Sequence, residues 1–319
     1  DREEDAMKFF VTGVAGQLGH DVMNELHKRG FEGVGSDIAP VYSGIQDHSP
    51  VTEMPYVSMD ITDARAVENI LTQIKPDAVI HCAAWTAVDA AEDEDKQEKV
   101  RLVNVTGTEN IAKVCQKLDI KMMYLSTDYV FDGQGESPWD PDCKDYKPLN
   151  VYGQTKLDGE LAVSGLVSKF FIIRIAWVFG KNGKNFIKTM LSLGKTHDTL
   201  RVVNDQIGTP TYTFDLARLM VDMILTDKYG YYHATNEGGY ISWYDFTKEI
   251  FRQAEALGHP EYAPDHCHVY PVTTAEYGAS KAARPFNSRL DKSKLAKCGF
   301  TPLPTWQDAL ARYLKELDF

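Results

Sequence analysis

From Met7 to about Trp177 the chain alternates short apolar runs with stretches of helical periodicity, and that rhythm narrows the fold to one class. Lys8–Thr12 (KFFVT), Gly33–Asp37 (GVGSD), Tyr56–Asp60 (YVSMD), Ala78–His81 (AVIH), Met122–Ser126 (MMYLS) and Phe170–Ile175 (FFIIRI) each read as a strand. Between them Leu18, Val22 and Leu26 recur at helical spacing, as do Val67, Ile70, Leu71 and Ile74. Further helices are predicted from about Lys99 to Leu118 and from the segment NVYGQTK through Val163. Strands this uniformly apolar need cover on both faces, which predicts an α/β fold built on a doubly wound parallel, Rossmann-type sheet.

Beyond Trp177 the rhythm loosens into glycine- and asparagine-rich loops (180–185), the loop NDQIGTPTY (204–212) and a proline-rich stretch from Ala263 to Arg289. These predict a smaller α/β substrate-binding lobe. Thr213–Leu225 and Gly230–Ala234 read as one helix and one strand returning to the first domain, so the lobes interleave in sequence. The expected division is 7–178 plus 211–236 for the dinucleotide-binding domain and 179–210 plus 237–319 for the lobe. Residues 1–6 are charged and lead straight into the first strand, and they read as an appended remnant outside the fold.

A net charge of -12 and a pI near 5.2 argue against nucleic acid or an anionic membrane as partner, because either polyanion would be repelled. An anionic ligand therefore needs a locally positive pocket, for which Arg174, Lys181, Lys184, Lys188 and Arg289 are the candidates. No apolar run is long enough for a membrane span and no basic-then-apolar leader opens the chain, so a cytoplasmic protein is expected. Five scattered cysteines without a C-x-x-C pair suit free thiols in a reducing compartment. His266-Cys267-His268 with His259 nearby lacks a second ligand pair at zinc spacing, so these are read as ordinary strand or loop residues and no metal site is expected from them.

The first constellation with chemical content is Gly13-Val14-Ala15-Gly16-Gln17-Leu18-Gly19, between a strand and a helix. Glycines at these points permit a tight turn, the approach of a pyrophosphate to a helix N-terminus, and close packing of that helix on the sheet. Asp37 closes the second strand, where a carboxylate accepts hydrogen bonds from an adenosine ribose and repels a 2'-phosphate, favouring NADH over NADPH. Asp60-Ile61 and Cys82-Ala83-Ala84 lie at the carboxyl ends of later strands, the edge at which open α/β sheets bind ligands.

The second is Tyr152 with Lys156. Four residues apart on a helix they share a face, and the ammonium is expected to lower the phenol's pKa and make it a proton donor near neutral pH. Thr127, ending the MMYLS strand, adds a hydrogen-bond donor for the same oxygen. Together they suit carbonyl reduction.

The order GVAGQLG, CAAWTAVDAAE, STDYVFDG, NVYGQTK, RIAWVFG, NDQIGTPT and ARPFNSRL resembles the extended short-chain dehydrogenase/reductases, and among them most closely the dTDP-4-dehydrorhamnose reductases. The resemblance runs from Met7 almost to the C-terminus. It implies reduction by NADH or NADPH of the 4-keto group of dTDP-6-deoxy-L-lyxo-4-hexulose, giving dTDP-L-rhamnose for cell-wall and surface polysaccharide. Carried over, Tyr152 is the acid, Lys156 holds the nicotinamide ribose and tunes Tyr152, Thr127 orients the carbonyl, and Asn104 organises the site. Thr86, Val88, Asp89, Asp128, Tyr129 and Trp177 match positions expected around the sugar. A core aromatic remains the alternative for Trp177, and a turn cap for Asp128.

Sugar 4,6-dehydratases of the same superfamily carry Asp-Glu directly after the threonine, whereas here Asp128 is followed by Tyr129, which favours net reduction. A nucleotide-sugar 4-epimerase shares the triad, and the methionine adenosyltransferase beta chain resembles the family without turning over; both stay open at this level. Some members hold magnesium through carboxylates at a dimer contact, which leaves a homodimer and a magnesium ion open as well.

Overall fold

The computed structural model describes residues 7–278 and 280–319; the segment 1–6, read above as an appended remnant, lies outside them. The chain runs β1 (Lys8–Thr12), α1 (Gln17–Lys28), β2 (Glu32–Asp37), β3 (Tyr56–Ser58), α2 (Ala64–Ile74), β4 (Ala78–His81), α3 (Gln97–Arg101), α4 (Thr108–Leu118), β5 (Lys121–Thr127), α5 (Val151–Leu166) and β6 (Phe170–Ile175). There follow β7 (Val178–Phe179), α6 (Phe186–Thr196), β8 (Thr199–Val203), β9 (Ile207–Gly208), β10 (Thr211–Tyr212), α7 (Thr213–Ile224) and β11 (Gly230–His233). The last elements are β12 (Ile241–Ser242), α8 (Trp243–Ala256), β13 (His268–Val272), α9 (Thr274–Tyr277), α10 (Ser293–Lys297) and α11 (Trp306–Glu316).

Seven strands form a parallel sheet in the order β11-β6-β5-β4-β1-β2-β3. The reason lies in the residues. Along β1, Phe9 and Val11 pack with Val22 and Leu26 of α1 and Leu216 and Met220 of α7, while Phe10 between them packs with Val67, Leu71 and Ile111 on the other face. Successive side chains point to opposite faces, so strands covered on both sides must be apolar at every position. Strand order reverses between β1 and β4, and there the connections diverge to leave a crevice at the carboxyl ends.

A separate core joins α6, α8 and α11 through Ile187, Leu191, Phe246, Ile250, Leu310 and Tyr313. Short pairings (β7 with β10, β9 with β12, β8 with β13) tie this lobe together. One segment departs from the expected division. Leu295, Phe300 and Leu303 lie in 237–319 yet pack into the core of the large sheet, where Phe300 meets Tyr232 of β11 edge-on at 5.7 Å.

Local signals explain most element ends. Asp63 caps α2 by accepting from the Ala66 N–H at 3.1 Å, and the helix stops where Lys75 turns left-handed ahead of Pro76. Asn150 caps α5, accepting from Gly153 N–H at 2.7 Å. The helix expected from Lys99 to Leu118 is interrupted: residues Leu102–Gly107 form a π-turn between α3 and α4. Such a turn widens the helix by one residue and re-aims the side chains beyond it, a feature that apolar periodicity does not reveal.

Candidate active site

A cleft of about 860 Å³ opens across the carboxyl ends of the sheet. Gly13, Gly16, Gln17, Leu18, Gly19, Asp37, Asp60, Ile61, Ala83, Ala84, Thr86, Val88, Thr127, Asp128, Tyr129, Tyr152, Lys156 and Trp177 all line it. Two predicted site residues, Asn104 and Asp89, are not part of its lining.

The glycines divide their labour. Gly13 has φ +71°, and a Cβ there would come within 2.7 Å of the Cys82 carbonyl carbon and the Ala83 nitrogen, so the turn presses directly on the end of β4. A Cβ on Gly19 would fall 2.3 Å from the Gly13 carbonyl oxygen, which makes this glycine the one that lets α1 pack under the turn. Gly16 faces solvent at the N-cap of α1, where no side chain caps the helix, so the first N–H groups are left for a ligand. Asp37 accepts from Ala15 N–H at 3.0 Å and Ile38 N–H at 2.9 Å, which fixes its carboxylate beside the turn. These features fit a dinucleotide: a cradle that added Cβ atoms would fill, an uncapped helix end, and a carboxylate beside the turn at the end of β2. Gln17 has another task, since its Oε1 accepts from Gly180 N–H at 2.9 Å and Asn185 Nδ2 at 3.0 Å, pinning the lobe to the turn.

At the other end, α5 brings Tyr152 and Lys156 to the cleft on one face. The expected electrostatics are reversed. Burial of the hydroxyl pushes the Tyr152 phenol above its ordinary range, with Tyr129 and Asp128 acting in the same direction. Burial also draws Lys156 down to about 8. The lysine Nζ lies over the Tyr124 ring, 4.3 Å from the centroid. Spacing placed the two on one face but could not show how little water reaches either.

Thr127 Oγ1 accepts from Tyr129 N–H at 3.1 Å and directs its own proton toward Asp128 Oδ1 at 3.5 Å. Asp128 is buried, and burial pushes its carboxyl up to about 7. Its Oδ2 has no hydrogen-bond partner. Tyr129 meets Tyr152 edge-on, with ring centroids 5.8 Å apart. Trp177 carries φ +52°, a strained value for a side chain of this size, and stacks on Trp243 at 3.7 Å. Asn104, in the π-turn, accepts from Trp85 N–H at 2.8 Å and donates to Thr155 Oγ1 at 3.1 Å, bracing the β4 loop against α5.

The expected cations separate. Arg174 is fully buried and paired with Glu160, its Nη2 2.8 Å from Oε1 and its Nε 3.0 Å from Oε2, so it is a structural ion pair and not a ligand group. Lys188 donates to the carbonyls of Lys181 and Gly183 at 2.6 and 2.7 Å, while Lys181 lies 3.4 Å from Asp47. Arg289 bonds to Asn287 at 3.2 Å and is not in the cleft wall. Lys184 does line the cleft, and so does Arg284, which was not among the expected cations although it lies in the ARPFNSRL segment. Arg284 donates to Tyr129 Oη at 3.1 Å and to Asp89 at 3.0 Å, which gives Asp89 its place as the partner of a cleft arginine. Trp243 and Asn182 were missed as well; only the fold brings them here. Among the described residues no group of three or more His, Cys, Asp and Glu side chains is placed to hold a metal ion, and no helix is long and apolar enough to cross a membrane.

Fold and cleft define a class: a nicotinamide-dependent oxidoreductase of the short-chain dehydrogenase/reductase type. Within it, the family described as RmlD substrate binding domain matches residues 7–319, and the chain belongs to that family. It is 36% identical over 309 residues to the dTDP-4-dehydrorhamnose reductase of Aggregatibacter actinomycetemcomitans, covering 95% of this chain and 97% of that one. The spore coat polysaccharide biosynthesis protein SpsK of Bacillus subtilis (strain 168) is 35% identical, with 97% of each chain covered. Among solved structures, a dTDP-4-dehydrorhamnose reductase of Bacillus anthracis str. Ames in complex with NADP superposes with a TM-score of 0.83 at 36% identity, covering 98% of this chain and 100% of that one.

Proposed function

We propose that this protein reduces the 4-keto group of a dTDP-4-keto-6-deoxyhexose, dTDP-4-dehydrorhamnose above all, in the route to dTDP-L-rhamnose. The observation that carries the reading is the convergence of the glycine turn, Thr127, Tyr152 and Lys156 on one cleft in a chain of this family. A bound nicotinamide cofactor supplies the hydride. The Tyr152 phenol, held in its protonated form by burial, gives its proton to the developing alkoxide. Lys156 then stabilises the phenolate that is left, a service that matters only once charge develops. Asp128 and Thr127 hold the sugar end, with Arg284 and Lys184 as the cations nearest a diphosphate.

NADH is the preferred cofactor, because the Asp37 carboxylate, held beside the glycine turn at the end of β2, would repel the extra phosphate of NADPH. The relative from Bacillus anthracis was solved with NADP, which makes the comparison worth running. Free cysteines support a cytoplasmic setting for the reaction. The direct test mixes purified protein with dTDP-4-keto-6-deoxyhexose and each reduced cofactor, follows the loss of absorbance and identifies the sugar nucleotide. Stoichiometric NADH oxidation is expected; a sugar product formed without it means epimerisation, and no turnover means a regulatory role. Asp37→Ala is expected to narrow the ratio of kcat/KM for NADH over NADPH, and an unchanged ratio refutes the role given to this carboxylate.

A further inference from the structure

We propose that Tyr124 is a positioning residue whose ring face holds the buried ammonium of Lys156 beneath the cleft, in the place a carboxylate would ordinarily take. The inference rests on the reading of Lys156 as the cation that serves Tyr152.

Lys156 is buried, yet no ion pair involves it among the described residues. Glu160, one turn further along α5, is occupied by Arg174 and by the Ser126 hydroxyl at 2.5 Å. The other titratable groups facing the ammonium come from β4 and α5. Cys82 is held as a thiol by burial, at about 12. Burial, with the lysine's own charge adding to it, draws His81 down to about 3, so the imidazole is neutral. Tyr152 is a neutral phenol. Beside the longer-range attraction of the Glu160 carboxylate, which makes no ion pair with the lysine, what favours the charge at contact is the negative face of the Tyr124 ring, 4.3 Å from Nζ.

Several independent features seat that ring. Tyr124 Oη donates to the Lys156 carbonyl at 3.3 Å, so one side chain meets both the backbone and the ammonium of the same residue. A Cβ on Gly159 would fall 2.3 Å from Tyr124 Oη, which explains a glycine in the middle of a buried helix. His81, its cross-strand neighbour, packs against the ring with centroids 5.9 Å apart and is itself held by Thr12 Oγ1 at 2.7 Å and Thr108 Oγ1 at 3.0 Å. The ring is thus a fixed surface whose attraction opposes the desolvation that discourages charge on the lysine.

The test is the alkaline limb of the pH profile of kcat/KM for reduction, the limb on which Lys156 loses its proton. Tyr124→Phe keeps the ring and is expected to overlay the wild-type limb. Tyr124→Leu removes it and is expected to move the limb down by about one pH unit. Because leucine leaves core volume empty, a second series places phenylalanines of increasing ring fluorination at position 124. These keep the shape while weakening the negative face, and each added fluorine is expected to lower the limb further. A limb that stays at the wild-type pH throughout the fluorinated series overturns the proposal; so does Tyr124→Phe shifting as far as Tyr124→Leu, which would assign the effect to the hydroxyl. Failure of the function itself is a different result: the wild-type protein would then oxidise no NADH with dTDP-4-keto-6-deoxyhexose.

Discussion

Asp128, buried in the cleft wall, holds its proton well above the ordinary carboxylate range. Its folded pKa of about 7 lies above the unfolded value near 3.8, so the folded state binds the proton more tightly. The stabilising proton is present at low pH and is lost as pH rises toward 7, leaving a buried carboxylate with one oxygen unbonded. Asp128→Asn removes that titration. The melting temperature of this variant relative to wild type is expected to climb between about pH 4 and pH 7 and to level off above that, as followed by circular dichroism, and a difference independent of pH contradicts the assignment. At the same scale, Tyr152→Phe is expected to abolish reduction while leaving NADH binding intact by fluorescence titration; undiminished turnover would refute the donor role. Residues inside contiguous motifs, such as Tyr152 and Lys156, could be found in the sequence because helical spacing alone places them together. Their protonation could not, because it depends on water excluded by β4, β5 and the lobe.

Among the elements, the loop 180–185 does more than its irregular composition suggests. Asn182 donates to the Ala15 and Gly16 carbonyls at 2.8 and 3.0 Å and accepts from Ile45 N–H at 2.9 Å, clasping the glycine turn from the lobe side. Asn182→Ala strands these partners at a cost of about 1–3 kcal/mol. Part of that loss is expected to appear as a roughly tenfold weaker Kd for NADH, with kcat nearly unchanged. Equal binding by calorimetry would show that the turn keeps its shape unaided. The seven strands of the large sheet could be read from apolar runs. The clasp, the cleft arginine at 284 and the π-turn could not, since each depends on a partner far away in the chain.

At the level of the whole molecule, the chain crosses repeatedly between its two cores. α7 and β11 return to the large sheet, α8 leaves it, the segment around Leu295 and Leu303 returns, and α11 ends in the lobe. Neither core can therefore melt while the other stays intact with its chain connections undisturbed. A single calorimetric unfolding transition is expected, raised as one unit by NADH, with a gain of about 2.7 kcal/mol at a hundred times Kd. Two resolved transitions would show the cores to be independent. The parallel sheet was foreseeable because two-faced burial demands uninterrupted apolar strands. The allocation of the C-terminal third was harder, as short strands and loops carry little periodic signal.

The π-turn at Leu102–Gly107 gives this region an unusual relation to chain length. One residue there is surplus to a regular helix, so deleting it would yield a simpler and better-formed rod. That repair would swing Asn104 away by roughly a quarter turn and free the Trp85 amide from its acceptor. Shortening the protein at this point is thus forbidden by its chemistry and permitted by its folding, and the awkward extra residue is the mark of a helix shaped for work.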